Sequence, residues 1–318
     1  MIKEKLNQKV TELPHERDDW TRDITIGKDG KHVLVSEPYE PEGCFLSSLV
    51  GRKKEMRFIT AAWMKGKTTP PLSPLLVGAP GVGKNRLIYE IADNAGKELY
   101  ILQGHEDITA EDMACAIRFS DNGGNSMDYI LSPLASAMTR GGICMIDEIG
   151  KIRPRALALL ASVLDERRYI DSTLLGERIY ARPGFRFIGA TNSGEVSMMP
   201  EFIRSRLWPV ITLGFPEKKE IKNIIEQQFF WSGTQMDDLI DTFWDLWRKN
   251  YGPDKLPAPR DAIHIFSLAS NLCDLDESQH NDRDPREIFS RTHSSSGAQL
   301  TSKHLESAFE YLFDQGVM

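Results

Sequence analysis

The segment Leu75-Leu76-Val77-Gly78-Ala79-Pro80-Gly81-Val82-Gly83-Lys84-Asn85-Arg86-Leu87 joins an apolar run to a glycine-rich turn and then to a helical pattern. Glycines let backbone N–H groups turn inward toward phosphate oxygens, and the N-terminus of the following helix adds positive potential. Lys84 is spaced to reach the β- and γ-phosphates of a nucleotide. Gly78, Ala79, Pro80, Gly81, Val82, Gly83, Lys84, Asn85 and Arg86 are therefore the candidate nucleotide-binding residues. Such a segment ordinarily ends in Ser or Thr, whose hydroxyl ligates Mg²⁺, and here Asn85 stands in that place. An amide oxygen also ligates hard cations. Asn85 either preserves metal binding with altered geometry or cripples hydrolysis, and both readings stay open.

Two further runs end in residues that suit phosphoryl transfer. Gly142-Ile143-Cys144-Met145-Ile146 leads into Asp147 and Glu148. Asp147 is a candidate to hold Mg²⁺, largely through water, and Glu148 to polarise an attacking water as general base. Phe185-Arg186-Phe187-Ile188-Gly189-Ala190 leads into Thr191 and Asn192. Asn192 is a candidate to hydrogen-bond both that water and the γ-phosphate, against the alternative that Thr191 and Asn192 merely form a turn.

The elements that must position these groups follow from patterning. Short apolar runs at 75–77, 99–102, 143–146, 185–188 and 210–213 alternate with helical stretches. That pattern predicts strands buried in a mainly parallel sheet flanked by helices, with ligands beyond the carboxyl ends of the strands. After Pro216 only helical periodicity remains. Ile221, Ile224, Ile225 and Phe229 share one face, and Met236, Leu239, Ile240, Phe243 and Trp244 repeat the spacing. Another helix is expected near Pro259, and a last one carries Leu305, Ala308, Phe309, Leu312 and Phe313 on one face. The expected organisation is an N-terminal arm at 1–43 with a short strand at 32–35, an α/β nucleotide-binding domain at 44–216 and a helical lid domain at 217–318. The polar stretch 274–297 reads as a solvated loop, far ahead of a metal site built from Asp274, Asp276 and His280.

The composition agrees with a soluble globular protein. The 318 residues carry 39 Lys plus Arg against 46 Asp plus Glu, a net charge of −7, with 41% hydrophobic residues. This balance argues against an electrostatic nucleic-acid or membrane binder, although Lys53, Lys54, Lys65 and Lys67 could line one edge. No apolar run approaches the ~18 residues of a bilayer span, and the first residues have no hydrophobic core of a secretory signal. The four cysteines, Cys44, Cys115, Cys144 and Cys273, are far apart in sequence, which fits a reducing cytoplasmic setting without zinc or disulfides.

Taken in order, these motifs resemble those of the AAA+ ATPases, and within them the branch of MoxR, the NorQ/CbbQ activators and the dynein-related AAA modules. The resemblance spans about residues 48–272. Besides the runs above, it rests on Val50-Gly51-Arg52, the stretch 105–113, Ser132-Pro133-Leu134, the stretches 141–151 and 159–167, Ile203-Arg204-Ser205-Arg206-Leu207 and Ala258-Pro259-Arg260. It implies a core with a helical lid, ATP and Mg²⁺ as ligands, Glu148 as catalytic glutamate and Asn192 as the polar sensor. It implies that Arg206, with Arg204 as second candidate, enters a neighbouring subunit's nucleotide site, although Leu207 stands where Phe is usual. Arg260 corresponds to the lid arginine that touches the γ-phosphate.

Residues 105–127 and 169–183 look like insertions of that family, the second a hairpin turning at Gly176, on which Tyr180 or Arg178 either grips a substrate chain or is simple decoration. The resemblance further implies an ATP-driven homo-oligomeric ring, a hexamer, that remodels a protein partner, in this branch often a von Willebrand factor A domain protein. Two alternatives stand beside it: a nucleotide-gated scaffold with weak hydrolysis because of Asn85, and a nucleic-acid motor of restriction or defence type, which the acidic charge and the lack of a basic–aromatic patch disfavour.

Overall fold

A computed structural model describes residues 22–27, 30–41, 48–64, 66, 69–119, 127–229, 234–279 and 300–314. In chain order the elements are β1 (Asp23–Ile26), β2 (Lys31–Leu34), α1 (Lys53–Trp63), β3 (Ser73–Gly78), α2 (Lys84–Asn94), β4 (Leu99–Gln103), β5 (Cys115–Phe119) and β6 (Met127–Leu131). There follow α3 (Pro133–Arg140), β7 (Ile143–Asp147), α4 (Pro154–Leu157), α5 (Leu160–Leu164), β8 (Tyr169–Ser172), β9 (Glu177–Tyr180), β10 (Arg186–Thr191), α6 (Glu201–Arg204) and β11 (Leu207–Leu213). The chain ends in α7 (Lys218–Phe229), α8 (Thr234–Tyr251), α9 (Pro259–Gln279) and α10 (Ser302–Asp314).

The central sheet has five strands in the order β11-β3-β10-β7-β4, all parallel. Its apolar runs are continuous because both faces are covered. Leu75, Val77, Cys144, Ile146 and Phe187 pack into one core cluster, while Leu76, Ile143, Met145, Ile188 and Ala190 pack into another on the opposite face. This is the period-two alternation of a strand expressed as two separate cores. The second cluster includes Leu87, Ile88 and Ile91 of α2, so the helix that follows the glycine-rich turn is seated directly on the sheet. Before α3, Ser132 accepts a hydrogen bond from the Ala135 N–H and Pro133 opens the helix, so a local cap marks its start.

The segment read as an N-terminal arm is, where described, part of the folded body. The strand expected at 32–35 is β2, paired antiparallel with β1 and parallel with β6, in a four-stranded sheet of order β1-β2-β6-β5. Val33 and Val35 are buried in the same cluster as Leu131 and Leu134, and the Tyr39 N–H donates to Leu99 O at 2.6 Å. Polar composition concealed this because only alternate residues of so short a strand meet the core. The 169–183 insertion is the expected antiparallel hairpin, β8 with β9. The 105–127 insertion includes β5, which pairs with β6; residues 120–126 lie outside the described residues.

The helices from Lys218 onward share their own core. Phe243 lies at its centre, with ring centroids 5.6 Å from Phe266, 5.9 Å from Phe309, 6.0 Å from Trp247 and 6.1 Å from Trp244. Ile221, Ile225, Leu239, Ile240 and Leu305 complete it. One expectation is corrected: α9 continues to Gln279, so the first part of the 274–297 stretch is helix, not loop. His280, like the rest of that stretch, lies outside the described residues, as do Cys44, Lys65 and Lys67. Among the described residues no group of three His, Cys, Asp or Glu side chains is placed to hold a metal ion, and no helix is long and apolar enough to cross a membrane. Cys115, Cys144 and Cys273 are buried and unbridged. Burial pushes the Cys144 thiol well up and, for Cys115, to about 11.

Candidate functional site

The strand order brings the candidate groups together. Strand β10 lies between β3 and β7, so Gly78, Thr191 and Asp147 end three adjacent parallel strands. Neighbouring strands are ~4.8 Å apart, and the side chains of Lys84 and Asn85 at the start of α2 bridge that span. The Lys84 ammonium donates to Gly78 O at 2.8 Å, to Ala79 O at 3.3 Å and to Asn192 Oδ1 at 3.3 Å. Burial holds Lys84 below its ordinary value, against the opposing charges of Asp147, Glu148 and Glu195, and the Arg260 guanidinium lowers it further. The first-turn N–H groups of α2 have no partner within the helix, and its N-cap, Gly83, brings no side-chain hydrogen bond to them. A half-buried ammonium beside such a helix start has the charge that would suit a polyanion.

Asn85 Nδ2 donates to Asp147 Oδ2 at 3.0 Å, and the Glu148 N–H donates to Asp147 Oδ1 at 3.0 Å. The unusual last residue of the glycine-rich segment thus contacts the acidic strand end directly. Its amide offers an NH₂ to that carboxylate and a carbonyl oxygen besides. Glu148 adopts a left-handed conformation, φ 53°, which turns the chain sharply off β7 into a short 3₁₀ turn, Ile149–Lys151. Lys151 Nζ reaches Glu148 Oε2 at 2.6 Å. That hydrogen bond raises the lysine above its ordinary value.

Asn192 is held by a reciprocal cap that motif reading missed. Its backbone N–H donates to Glu195 Oε2 at 3.3 Å and its Nδ2 to Glu195 Oε1 at 3.2 Å, while Thr191 Oγ1 donates to Glu195 Oε2 at 2.8 Å. Burial would raise the Glu195 carboxyl, but these hydrogen bonds outweigh it and hold it below its ordinary value. The signal was present in the sequence as Asn followed three residues later by Glu. The turn reading of Thr191 and Asn192 and the polar-sensor reading are therefore compatible: the cap fixes Asn192 while its Oδ1 faces Lys84.

Two other residues had been given no role in the site. Arg52, just before α1, donates to Gly214 O at 2.6 Å and lies 3.5 Å from Val82 O, so it ties the glycine-rich segment to the junction between β11 and α7. Gly104 donates its N–H to Asp147 O at 2.7 Å, and a Cβ there would meet Glu148 O at 2.6 Å and Asp147 O at 2.9 Å. Arg52 stood in the motif Val50-Gly51-Arg52 without an assigned contact, and nothing local marks Gly104.

The arginines divide into two places. Arg260, at the start of α9, sits over the glycine-rich turn: its N–H is 3.4 Å from Gly81 O. Arg86 is turned along its own helix, 3.4 Å from Glu90 and over the Tyr89 ring. Arg206 and Arg204 lie away from this cluster. Leu207 pairs with Ser73 and Leu213 with Gly78, so Arg206 precedes β11 at the opposite end of the sheet, roughly 20 Å from the turn at ~3.3 Å per residue. Arg206 Nη1 donates to Phe202 O at 2.6 Å, and its Nε is 3.9 Å from Asp165. Beside it the edge strand β11 exposes Trp208 and Val210, 62% and 53% accessible.

The hairpin β8–β9 carries Arg178 3.9 Å over the Tyr169 ring, with Arg167 at 5.8 Å and Tyr180 exposed. This is a basic–aromatic cluster that charge counting did not anticipate. Arg178 is paired with Asp171 and Arg167 with Asp165, so the cluster is largely neutralised. Its turn is anchored by Glu111, which accepts from Ser172 Oγ at 2.6 Å, Thr173 Oγ1 at 2.7 Å and Thr173 N at 3.0 Å.

Comparison with known proteins agrees with this geometry. A family profile described as the AAA domain of the dynein-related subfamily matches residues 73–207. An uncharacterized protein of Staphylococcus aureus strain USA300 is 31% identical over 205 residues, 63% of this chain and 76% of that protein. Uncharacterized proteins of Staphylococcus saprophyticus and Staphylococcus haemolyticus are 31% and 32% identical over 48% and 52% of this chain; the match spans 60% and 64% of their own lengths. Among solved structures, a variant of Thermotoga maritima RuvB superposes with a TM-score of 0.55 at 20% identity, covering 86% of this chain and 74% of that one. The Thermotoga maritima RuvB Holliday junction branch migration motor gives 0.52 at 19%, covering 85% and 73%. With a glycine-rich turn, an acidic strand end and a polar strand end on adjacent parallel strands, and a helical unit behind them, this chain belongs to the AAA+ ATPase family.

Proposed function

We propose that this chain binds and hydrolyses ATP with Mg²⁺ as a subunit of a homo-oligomeric AAA+ ring, MoxR-like and hexameric, whose turnover remodels or activates a protein partner. The observation that carries the reading is the gathering of Lys84, Asn85, Asp147, Glu148 and Asn192 at three adjacent strand ends, with Arg260 over the turn. Lys84, the N–H groups of α2 and Arg260 form the cationic cradle for the phosphates. The oxygens of Asp147 and Asn85 are hard donors that suit Mg²⁺, which when bound would offset charge on the phosphates. Glu148 takes the proton of water, and Asn192, fixed by Glu195, orients that water against the γ-phosphate.

Arg206 cannot serve its own chain's site from the far end of the sheet. As an arginine finger it completes the site of a neighbouring copy, with Trp208 and Val210 beside it as contact surface. Arg204, exposed on α6, is the second candidate for that role. The partner remodelled by the ring is proposed to be a von Willebrand factor A domain protein, on the resemblance to this branch alone.

One observation favours a second reading, a nucleotide-gated switch with weak turnover. The Asn85 amide donates to Asp147, and that donor competes with a cation for the same carboxylate. A nucleic-acid motor has less support: the hairpin arginines are already paired with aspartates, and salt-dependent DNA binding is the test that would restore it.

The deciding experiment measures ATP turnover with Mg²⁺ over a range of protein concentrations, beside Glu148→Gln. Specific activity that rises with concentration and vanishes in the variant supports shared sites in a ring. Tight ATP binding with no turnover at any concentration points to the switch or to a missing activating partner, and Asn85→Thr separates the two: recovered turnover blames residue 85, continued silence the partner.

A further inference from the structure

The feature to which the proposed mechanism gives no role is the ammonium on the proposed general base. Lys151 Nζ lies 2.6 Å from Glu148 Oε2. The backbone builds this contact. Glu148 is left-handed, and the Lys151 N–H donates back to Glu148 O at 2.9 Å, closing a 3₁₀ turn in which residues three apart eclipse one another. The turn has little freedom to open. Ile149 is fully buried, and Gly150 approaches the polar strand end so closely that a Cβ would meet Thr191 Oγ1 at 2.6 Å and Glu195 Cβ at 2.8 Å. Lys151 itself remains 43% accessible, so it can leave the carboxylate without disturbing the turn.

A general base needs a free carboxylate oxygen to accept a hydrogen bond from water and then its proton. A carboxylate oxygen already bonded to an ammonium offers fewer positions to the water. Resting on the hydrolytic reading above, we infer that Lys151 is a brake: a positioning residue that holds Glu148 in an ion pair and keeps basal turnover low until the ammonium is drawn away. The path for removal is the solvent-exposed side of the lysine.

The test compares wild type, Lys151→Met and Lys151→Arg in steady-state ATP hydrolysis, with nucleotide affinity measured separately by titration. Lys151→Met raises kcat roughly two- to fivefold, the scale set by an exposed ion pair, with KM for ATP unchanged. Lys151→Arg keeps the cation and stays slow. The double variant Glu148→Gln with Lys151→Met is inactive, showing that the gain passes through Glu148. A Lys151→Met rate at or below wild type, with ATP still bound, overturns the brake and leaves the hydrolytic reading intact. A gain shared by the Arg variant, or surviving in the Glu148→Gln background, overturns it as well. Silence in wild type and both single variants alike overturns the hydrolytic reading and the brake with it.

Discussion

Gly104→Ala tests whether the acidic strand end is held in place from behind. Gly104 follows β4, and its N–H binds Asp147 O at 2.7 Å. A methyl at this position would stand 2.6 Å from Glu148 O, 2.9 Å from Asp147 O and 3.0 Å from the Glu148 carbonyl carbon, where ordinary contact begins near 3.4 Å. All three are backbone atoms of the two residues proposed to do the chemistry, so no flexible side chain can absorb the clash. The strand end must retreat by several tenths of an ångström, and overpacking of this kind costs about 1–3 kcal/mol. Misplacement by ~1 Å at a reacting centre costs on the order of a hundredfold in rate, so the expected loss in kcat is roughly ten- to a hundredfold. The phosphate cradle on β3 and α2 is untouched, so ATP affinity measured with a fluorescent analogue stays within about threefold. Turnover at the wild-type rate in a folded Gly104→Ala protein would refute the reasoning, because it would show that Asp147 and Glu148 need no such support.

Arg206→Ala is expected to keep ATP binding and lose turnover, by as much as ~10³–10⁵ if the finger stabilises the transition state. Mixing it with Lys84→Ala should restore part of the activity through mixed sites, and a fully active Arg206→Ala rules out the shared-site arrangement. Asn85→Thr replaces the amide on Asp147 with a hydroxyl; a rise in Mg²⁺-dependent turnover assigns slow hydrolysis to residue 85, and no change points to a missing partner. Glu111 is held below its ordinary carboxyl value: burial would raise it, but hydrogen bonds from Ser172, Thr173 and Leu174 outweigh that effect. A depressed carboxyl contributes stability above its unfolded value of 4.5 and loses it as pH falls through the lower folded value. Glu111→Gln should therefore lower the melting temperature at neutral pH and flatten its fall in acid, measured by calorimetry across pH 3–7; identical curves for the two proteins exclude the anchor.

The sheet was legible because its strands are buried on both faces. A run such as Ile143-Cys144-Met145-Ile146 admits few other fates, and the glycine-rich segment after Val77 needs a strand before it and a helix after it. The helical unit was legible from period alone, with Phe243 and its neighbours on the predicted stripe. The strands of the first segment were harder to read, since β1 and β2 are short and half exposed, and their order beside β6 depends on contacts about a hundred residues away. The extension of α9 to Gln279 was hidden by acidic residues that suit a helix surface as well as a loop.

By itself, then, the sequence determined that a glycine-rich turn, an acidic strand end and a polar strand end exist, because each is a local pattern carried by consecutive residues. Only the tertiary structure decided which of them meet. The order β3-β10-β7 makes three distant segments adjacent, sets Asn85 on Asp147, and sends Arg206 to the far end of β11. Lys151 on Glu148, Glu195 under Asn192 and Gly104 behind Asp147 likewise depend on backbone turns and strand neighbours. Strand order and turn geometry are settled by how two faces of a sheet fill their cores, and that is a property of the packed chain.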